Sequence, residues 1–138
     1  MRVGVVFFAE RNKAKLKEIS RGLAAGIESQ GHRVEIIDAF ADSDSRLSLY
    51  DYLAVGAESL SFFRGKISQK IPQFLANAGT SSGKRCFAFI LTHPVSANRA
   101  LGRLMKAMEH EGMYLKFSDI LSSKEQAEAV GKRLIISN

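Results

Sequence analysis

Tryptophan is absent from this chain, cysteine occurs once, and no apolar run is long enough to span a membrane. A lone cysteine excludes an intramolecular disulfide. Cys86 lies in the apolar run Cys86-Phe87-Ala88-Phe89-Ile90-Leu91 and is expected to be a buried, inert thiol. The opening residues lack the basic region, long apolar segment and small-residue cleavage site of a secretory signal. Cytoplasmic residence is therefore the default expectation. No linker, repeat or low-complexity tract divides the 138 residues, so residues 1–138 are read as one domain with a real core. The most telling absence is local. The turn after the first strand, Ala9-Glu10-Arg11-Asn12-Lys13, contains no Gly, Ser or Thr. In open α/β sheets this turn is where phosphate groups dock on backbone N–H groups. Here Glu10 is expected to stand near the anion position. The missing glycines also exclude the dinucleotide fingerprint, and without them Asp38 after the second strand does not count as a ribose-binding acid.

What is present is ordinary for a soluble domain: 46% hydrophobic and 25% charged residues. The balance is basic, with 20 Lys plus Arg against 14 Asp plus Glu, a formal +6. That favours an anionic small molecule or an acidic protein partner. Nucleic acid is not favoured, because no recognition-helix motif and no aromatic platform accompanies the basic residues. No membrane partner is read.

Five strand candidates alternate with helical stretches: Val3 to Phe8, Val34 to Ile37, Tyr52 to Val55, Cys86 to Leu91 and Met113 to Phe117. The first and fourth are nearly continuous apolar runs, as expected for strands covered on both faces. A first helix is expected from Asn12 to Gln30, burying Leu16, Ile19, Leu23 and Ile27, with Gly31 ending it. A polar connection at residues 41–46 precedes a short helical turn around Leu47 and Leu49. The next helix spans Ser68 to Asn77, with Ile71, Phe74 and Leu75 inward and Pro72 in its first turn. Residues 79–83 read as a loop. A helix over Ala97 to Glu111 buries Leu101, Leu104, Met105 and Met108. The last helix follows Ser123, which forms a capping box with Gln126, Ser122 and Glu125 being the alternative pair. Ala127, Val130 and Leu134 face inward. The alternation implies an α/β three-layer doubly wound sandwich with a five-stranded parallel sheet, order 2-1-3-4-5, and its switch point between strands one and three.

Over nearly its full length the chain resembles a short-chain flavodoxin. Asp51-Tyr52-Leu53-Ala54-Val55-Gly56-Ala57 resembles that family's third strand. Phe63-Arg64-Gly65-Lys66-Ile67 followed by Gln73-Phe74-Leu75 resembles the lead into its third helix, and Gly83-Lys84-Arg85-Cys86-Phe87-Ala88-Phe89 the lead into strand four. The resemblance implies FMN as cofactor and electron transfer as activity. It does not extend to the loop that holds the FMN phosphate. That loop is Ser/Thr-x-Thr-Gly-x-Thr in the family and Phe8-Ala9-Glu10-Arg11-Asn12-Lys13 here. The candidate positions of the FMN loops are Glu10, Arg11, Asn12, Lys13, Glu58, Ser59, Phe62, Thr92 and His93. Phe62 or Phe63 could stack on a flavin but is expected to anchor its loop on the core. The second ring-holding loop, Thr92 to Ser96, offers only His93 as a planar group. Flavodoxins are typically acidic, and this chain is not.

Response-regulator receivers share this arrangement, and Glu10, Glu58 and Thr92 stand in loosely similar places. Their acceptor Asp and the Lys after strand five are missing. Glu10, Glu58 and His93 should gather at the carboxyl ends of strands one, three and four, where two carboxylates and an imidazole could hold a metal or move protons. The plainer expectation is that both carboxylates pair with Arg11, Arg64 or Arg99. No catalytic residue and no metal site is read. Arg11, Lys13, Arg64, Lys66 and Arg99 should form a basic rim there, with Arg103 a turn along the fourth helix. Two functions follow. One is a binding or interaction module that has lost tight FMN binding. The other is an electron-transfer flavoprotein with an unusual phosphate site.

Overall fold

A computed structural model of the chain describes residues 1–42, 46–79 and 83–136. Five strands, β1 (Arg2–Phe8), β2 (Arg33–Asp38), β3 (Tyr52–Ala57), β4 (Arg85–Leu91) and β5 (Tyr114–Leu121), form one sheet in the order β2-β1-β3-β4-β5. All four pairings are parallel. Four helices flank the sheet: α1 (Lys13–Glu28), α2 (Lys70–Asn77), α3 (Ala97–His110) and α4 (Lys124–Arg133). The expected doubly wound sandwich and its strand order are therefore present.

Side-chain alternation along each strand feeds two cores. Val6, Phe8, Val55, Ala88 and Ile90 pack with Ile71, Phe74, Leu104 and Met108 of α2 and α3. Val5, Phe7, Ala54, Phe87 and Phe89 pack on the opposite face with Leu16, Ile19, Leu23 and Ile27 of α1 and Ala127 of α4. Cys86 is fully buried, as expected, and burial pushes its thiol up to about 12, with the Glu109 charge adding to the shift.

Several local readings change. β5 runs to Leu121 rather than stopping at Phe117, because Ser118 and Asp119 pair with β4 despite interrupting the apolar pattern. Leu101 and Met105 are half-buried at the margin of the core, not within it. Ser123 Oγ does accept the Gln126 N–H at 3.1 Å. Gln126 Oε1, however, takes the Ser122 N–H and hydroxyl at 2.7 and 2.8 Å, so the reciprocal half of the box is shifted one residue back. The short turn at Leu47–Leu49 is a single 3₁₀ turn. The polar connection at 41–46 and the loop at 79–83 lie partly outside the described residues. No helix among the described residues is long and apolar enough to cross a membrane.

Candidate functional site

The last pair of the β1–β3 ladder is Phe8 with Ala57. The residue after it, Glu58, therefore emerges at the switch point, against the turn that links β1 to α1. That register decides the site. Glu58 is 2% exposed. Its Oε2 accepts the backbone N–H groups of Glu10, Arg11 and Asn12 at 2.7, 2.8 and 3.3 Å. Its Oε1 accepts from Asn12 Nδ2 at 2.9 Å. Three successive N–H groups at a helix N-terminus make an anion nest, and the helix dipole adds to its attraction for negative charge. The chain fills this nest with its own carboxylate. Asn12 precedes α1 but does not cap it through its side chain, which is turned to Glu58.

Glu10 does not occupy the anion position expected of it. Its Oε1 accepts the Ser68 hydroxyl at 2.7 Å, tying the first turn to the segment leading into α2. Nor do Glu10 and Glu58 pair with arginine. Among the described residues no ion pair involves Arg11, Arg64, Lys66 or Arg99. Glu58 is satisfied instead by backbone N–H groups of the β1–α1 turn. Lys13 is drawn off the rim to Asp38, at 3.0 Å. Asp38 also accepts the N–H groups of Phe40 and Ala41, a turn-forming role.

The loops after β3 and β4 are joined by a second network. Ser96 is fully buried, and its hydroxyl lies 2.7 Å from Ser59 Oγ, 2.8 Å from the Ser61 carbonyl and 3.1 Å from His93 Nδ1. His93 Nδ1 also accepts the N–H groups of Val95 and Ser96 at 3.1 and 3.0 Å. Acceptance at Nδ1 places the ring proton on Nε2 in the neutral form. His93 thus caps the start of α3, while the Ser96 side chain, at the cap position, makes no cap bond to the helix. Thr92 is exposed, and its N–H continues the sheet to the Leu121 carbonyl. The expected gathering of Glu10, Glu58 and His93 does not form a ligand set. Each is committed to a different partner, and no cluster suited to a metal is found among the described residues.

Phe62 and Phe63 are not anchored on the core. They are 55% and 66% exposed. Phe62 meets His93 edge to face at 5.2 Å and Phe63 at 4.8 Å. Gly65 explains the loop's path. At φ 66° it lies against the start of α3, where a Cβ would come within 2.5 Å of the Ala100 backbone nitrogen. That close seat pushes residues 62–64 outward. Arg99 and Arg103 hold the displaced loop by donating to the carbonyls of Phe63 and Arg64 at 3.1 and 3.3 Å.

Of the residues singled out in the sequence, the fold sets Glu58 against Glu10, Arg11 and Asn12, and joins Ser59, His93 and Phe62 through Ser96 and a ring contact. The sequence pattern misses Ser61 and Ser68 as connectors. Ser68 carries one visible signal, a hydroxyl residue just ahead of a helix.

No protein-family model and no curated protein sequence matches the chain. Solved structures do match it throughout. The oxidised flavodoxin 1 of Bacillus cereus superposes with a TM-score of 0.70 at 16% identity, covering 98% of this chain and 100% of that one. A short-chain flavodoxin associated with a non-canonical PDU bacterial microcompartment gives 0.73 at 12% identity, covering 96% and 95%. A flavodoxin from the domain Archaea gives 0.68 at 17% identity, covering 96% and 94%. The chain has a flavodoxin-like fold.

Proposed function

We propose that this chain, built on the flavodoxin-like fold, is a binding module that does not hold FMN tightly and that docks an acidic protein partner at the carboxyl edge of its sheet. The observation that carries the reading is Glu58. Its carboxylate takes the N–H groups that a phosphate would need, so a phosphate must displace a buried, four-bonded anion and then face its charge. The ring site points the same way. A planar ring held between two others needs about 7 Å between them, twice the contact distance of carbon atoms. Phe62 and His93, from the two loops in question, touch each other at 5.2 Å. The docking half of the reading rests on the exposed Phe62, Phe63 and Val95, bordered by Arg64, Lys66 and Arg99. An apolar centre with a basic border is complementary to an apolar contact ringed by carboxylates.

The second reading, an electron-transfer flavoprotein, draws on the nest itself, which is shaped for an anion and sits at the fold's ligand-binding edge. One experiment separates the two. Calorimetric titration with FMN is expected to show no tight binding by the native chain and at least about tenfold tighter binding by Glu58→Ser, a difference of 1.4 kcal/mol or more. A submicromolar dissociation constant for the native chain, with a bound-flavin absorption spectrum, would overturn the proposal in favour of the flavoprotein.

A further inference from the structure

The sheet is covered unevenly on the α1/α4 face. α1 and α4 meet backbone to backbone along a glycine seam. A Cβ at Gly22 would lie 2.3 Å from the Lys124 carbonyl oxygen, at Gly26 2.2 Å from that of Glu128, and at Gly131 2.4 Å from that of Leu23. This seam draws α4 onto α1 and away from β5. α4 is only 10 residues long, and after Arg133 the chain runs extended, burying Leu134 and Ile136 and turning Ile135 outward at 83% exposure. The α4-side face of β5 is left open. A recess of about 570 Å³ remains there, at the edge of the sheet opposite the Glu58 mouth.

The strand is built irregularly at this spot. Cys86 pairs with Leu115 and Phe87 with Phe117, so Lys116 is an extra residue, a β-bulge. The bulge sets Phe117, not Lys116, opposite Phe87 on the α4 face. Bulges are used to re-aim a side chain in this way. Phe117 stacks on Phe87 at 5.8 Å, and Phe87 on Phe89 at 5.9 Å, yet Phe117 stays 54% exposed. An aromatic face backed by a rigid stack is thus presented to the recess. Leu134 and Ile135 supply further apolar lining, and Lys116, which also lies over the Tyr114 ring at 4.8 Å, and Arg133 border it together with one carboxylate, Asp119. Asp119 Oδ1 accepts its neighbour Ile120 N–H at 2.8 Å.

We infer that this recess binds a small amphipathic anion, with a flat apolar body on Phe117 and a carboxylate or sulfonate toward the cationic border. The volume falls within the roughly 300–1,000 Å³ of small-molecule sites, and an apolar lining with a few polar groups is their usual make-up. The excess of cations selects a negative head. It also opposes a second copy of the chain, which would bring the same cations against these. The inference is independent of what happens at Glu58.

The test uses the intact chain and 1-naphthoate, followed by amide chemical-shift mapping at fixed ionic strength. Saturable shifts are expected at residues 116–119 and 130–136. The neutral 1-naphthalenemethanol should bind at least about tenfold more weakly, as should the variants Phe117→Ala and Arg133→Glu. Both substitutions are at exposed positions, and circular dichroism would check that they fold. Failure of 1-naphthoate to saturate by about 10 mM overturns the inference. So do shifts centred on Glu58 to Ser68, equal binding of the neutral analogue, or unchanged binding by both variants.

Discussion

Glu58 is a buried charge with no cationic side chain beside it among the described residues. Three N–H dipoles, an amide and a helix N-terminus compensate it instead. Removing an acceptor leaves such donors without partners, and bonds to a charged group are worth about 1.5–3 kcal/mol each. Glu58→Ala should therefore lower stability by about 2–3 kcal/mol, less than the full sum because water can reach the opened turn. Inorganic phosphate should restore part of that loss in urea titrations, while leaving the native chain unmoved, since a ligand stabilises only a state with a site for it. Equal response of both proteins would show that the nest is not an anion site. A second prediction concerns alkaline pH. Burial holds the Cys86 thiol up at about 12 from an ordinary 9.0, and burial with the Glu35 hydrogen bond holds Tyr50 at about 12 from 10.0. The folded state keeps these protons while the unfolded chain releases them. Their stabilisation is complete below pH 9 and fades as pH rises toward 12. Urea midpoints should fall across that window, less steeply for Cys86→Ala. A slope unchanged by the substitution would remove Cys86 from the account.

The elements show where hydrophobic periodicity is a sufficient guide. The stripe Leu16, Ile19, Leu23 and Ile27 is wholly buried, as its spacing implies. The same pattern does not reveal how α1 meets α4, because glycine contributes no side chain to a stripe. Gly26→Ala sets two effects against each other. It improves helix propensity by up to about 1 kcal/mol. It also places a methyl 2.2 Å from a backbone oxygen that cannot swing aside. Overpacking costs about 1–3 kcal/mol, so net destabilisation is expected in urea denaturation. Stabilisation would mean the two helices separate freely. The β5 bulge was equally hidden, since Tyr114 to Phe117 gives no alternation from which to place one extra residue. The exposed Phe62 and Phe63 reverse the expectation of anchoring. Their loop is positioned by Gly65 against α3, a contact between segments distant in sequence.

Across the whole molecule the central strands are sealed on both faces. Val5 and Phe89 are fully buried, Phe7 is 1% exposed and Leu91 9%. Phe89→Ala should cost about 3–5 kcal/mol through the cavity it leaves. A loss under 1 kcal/mol would contradict the packing described. The formal +6 charge is spread over the surface rather than gathered in one site. Lys13 pairs with Asp38, Arg99 and Arg103 brace a loop, and Arg133 stands at the opposite edge of the sheet.

The layers, the strand order and most of the core are legible in the amino-acid sequence, Leu101 and Met105 being exceptions. The legible features follow from apolar runs and helical spacing, which are local, and from the limited ways such elements pack. The sequence also pointed to the loops at the switch point. It did not reveal which carboxylate would enter the nest. Glu10 is adjacent in the chain and Glu58 is 48 residues away, and the choice rests on the Phe8–Ala57 register, which delivers Glu58 into the crevice. The loop contacts, the bulge and the recess are of the same kind. Each depends on a distance between segments far apart in sequence, and only the folded chain sets those distances.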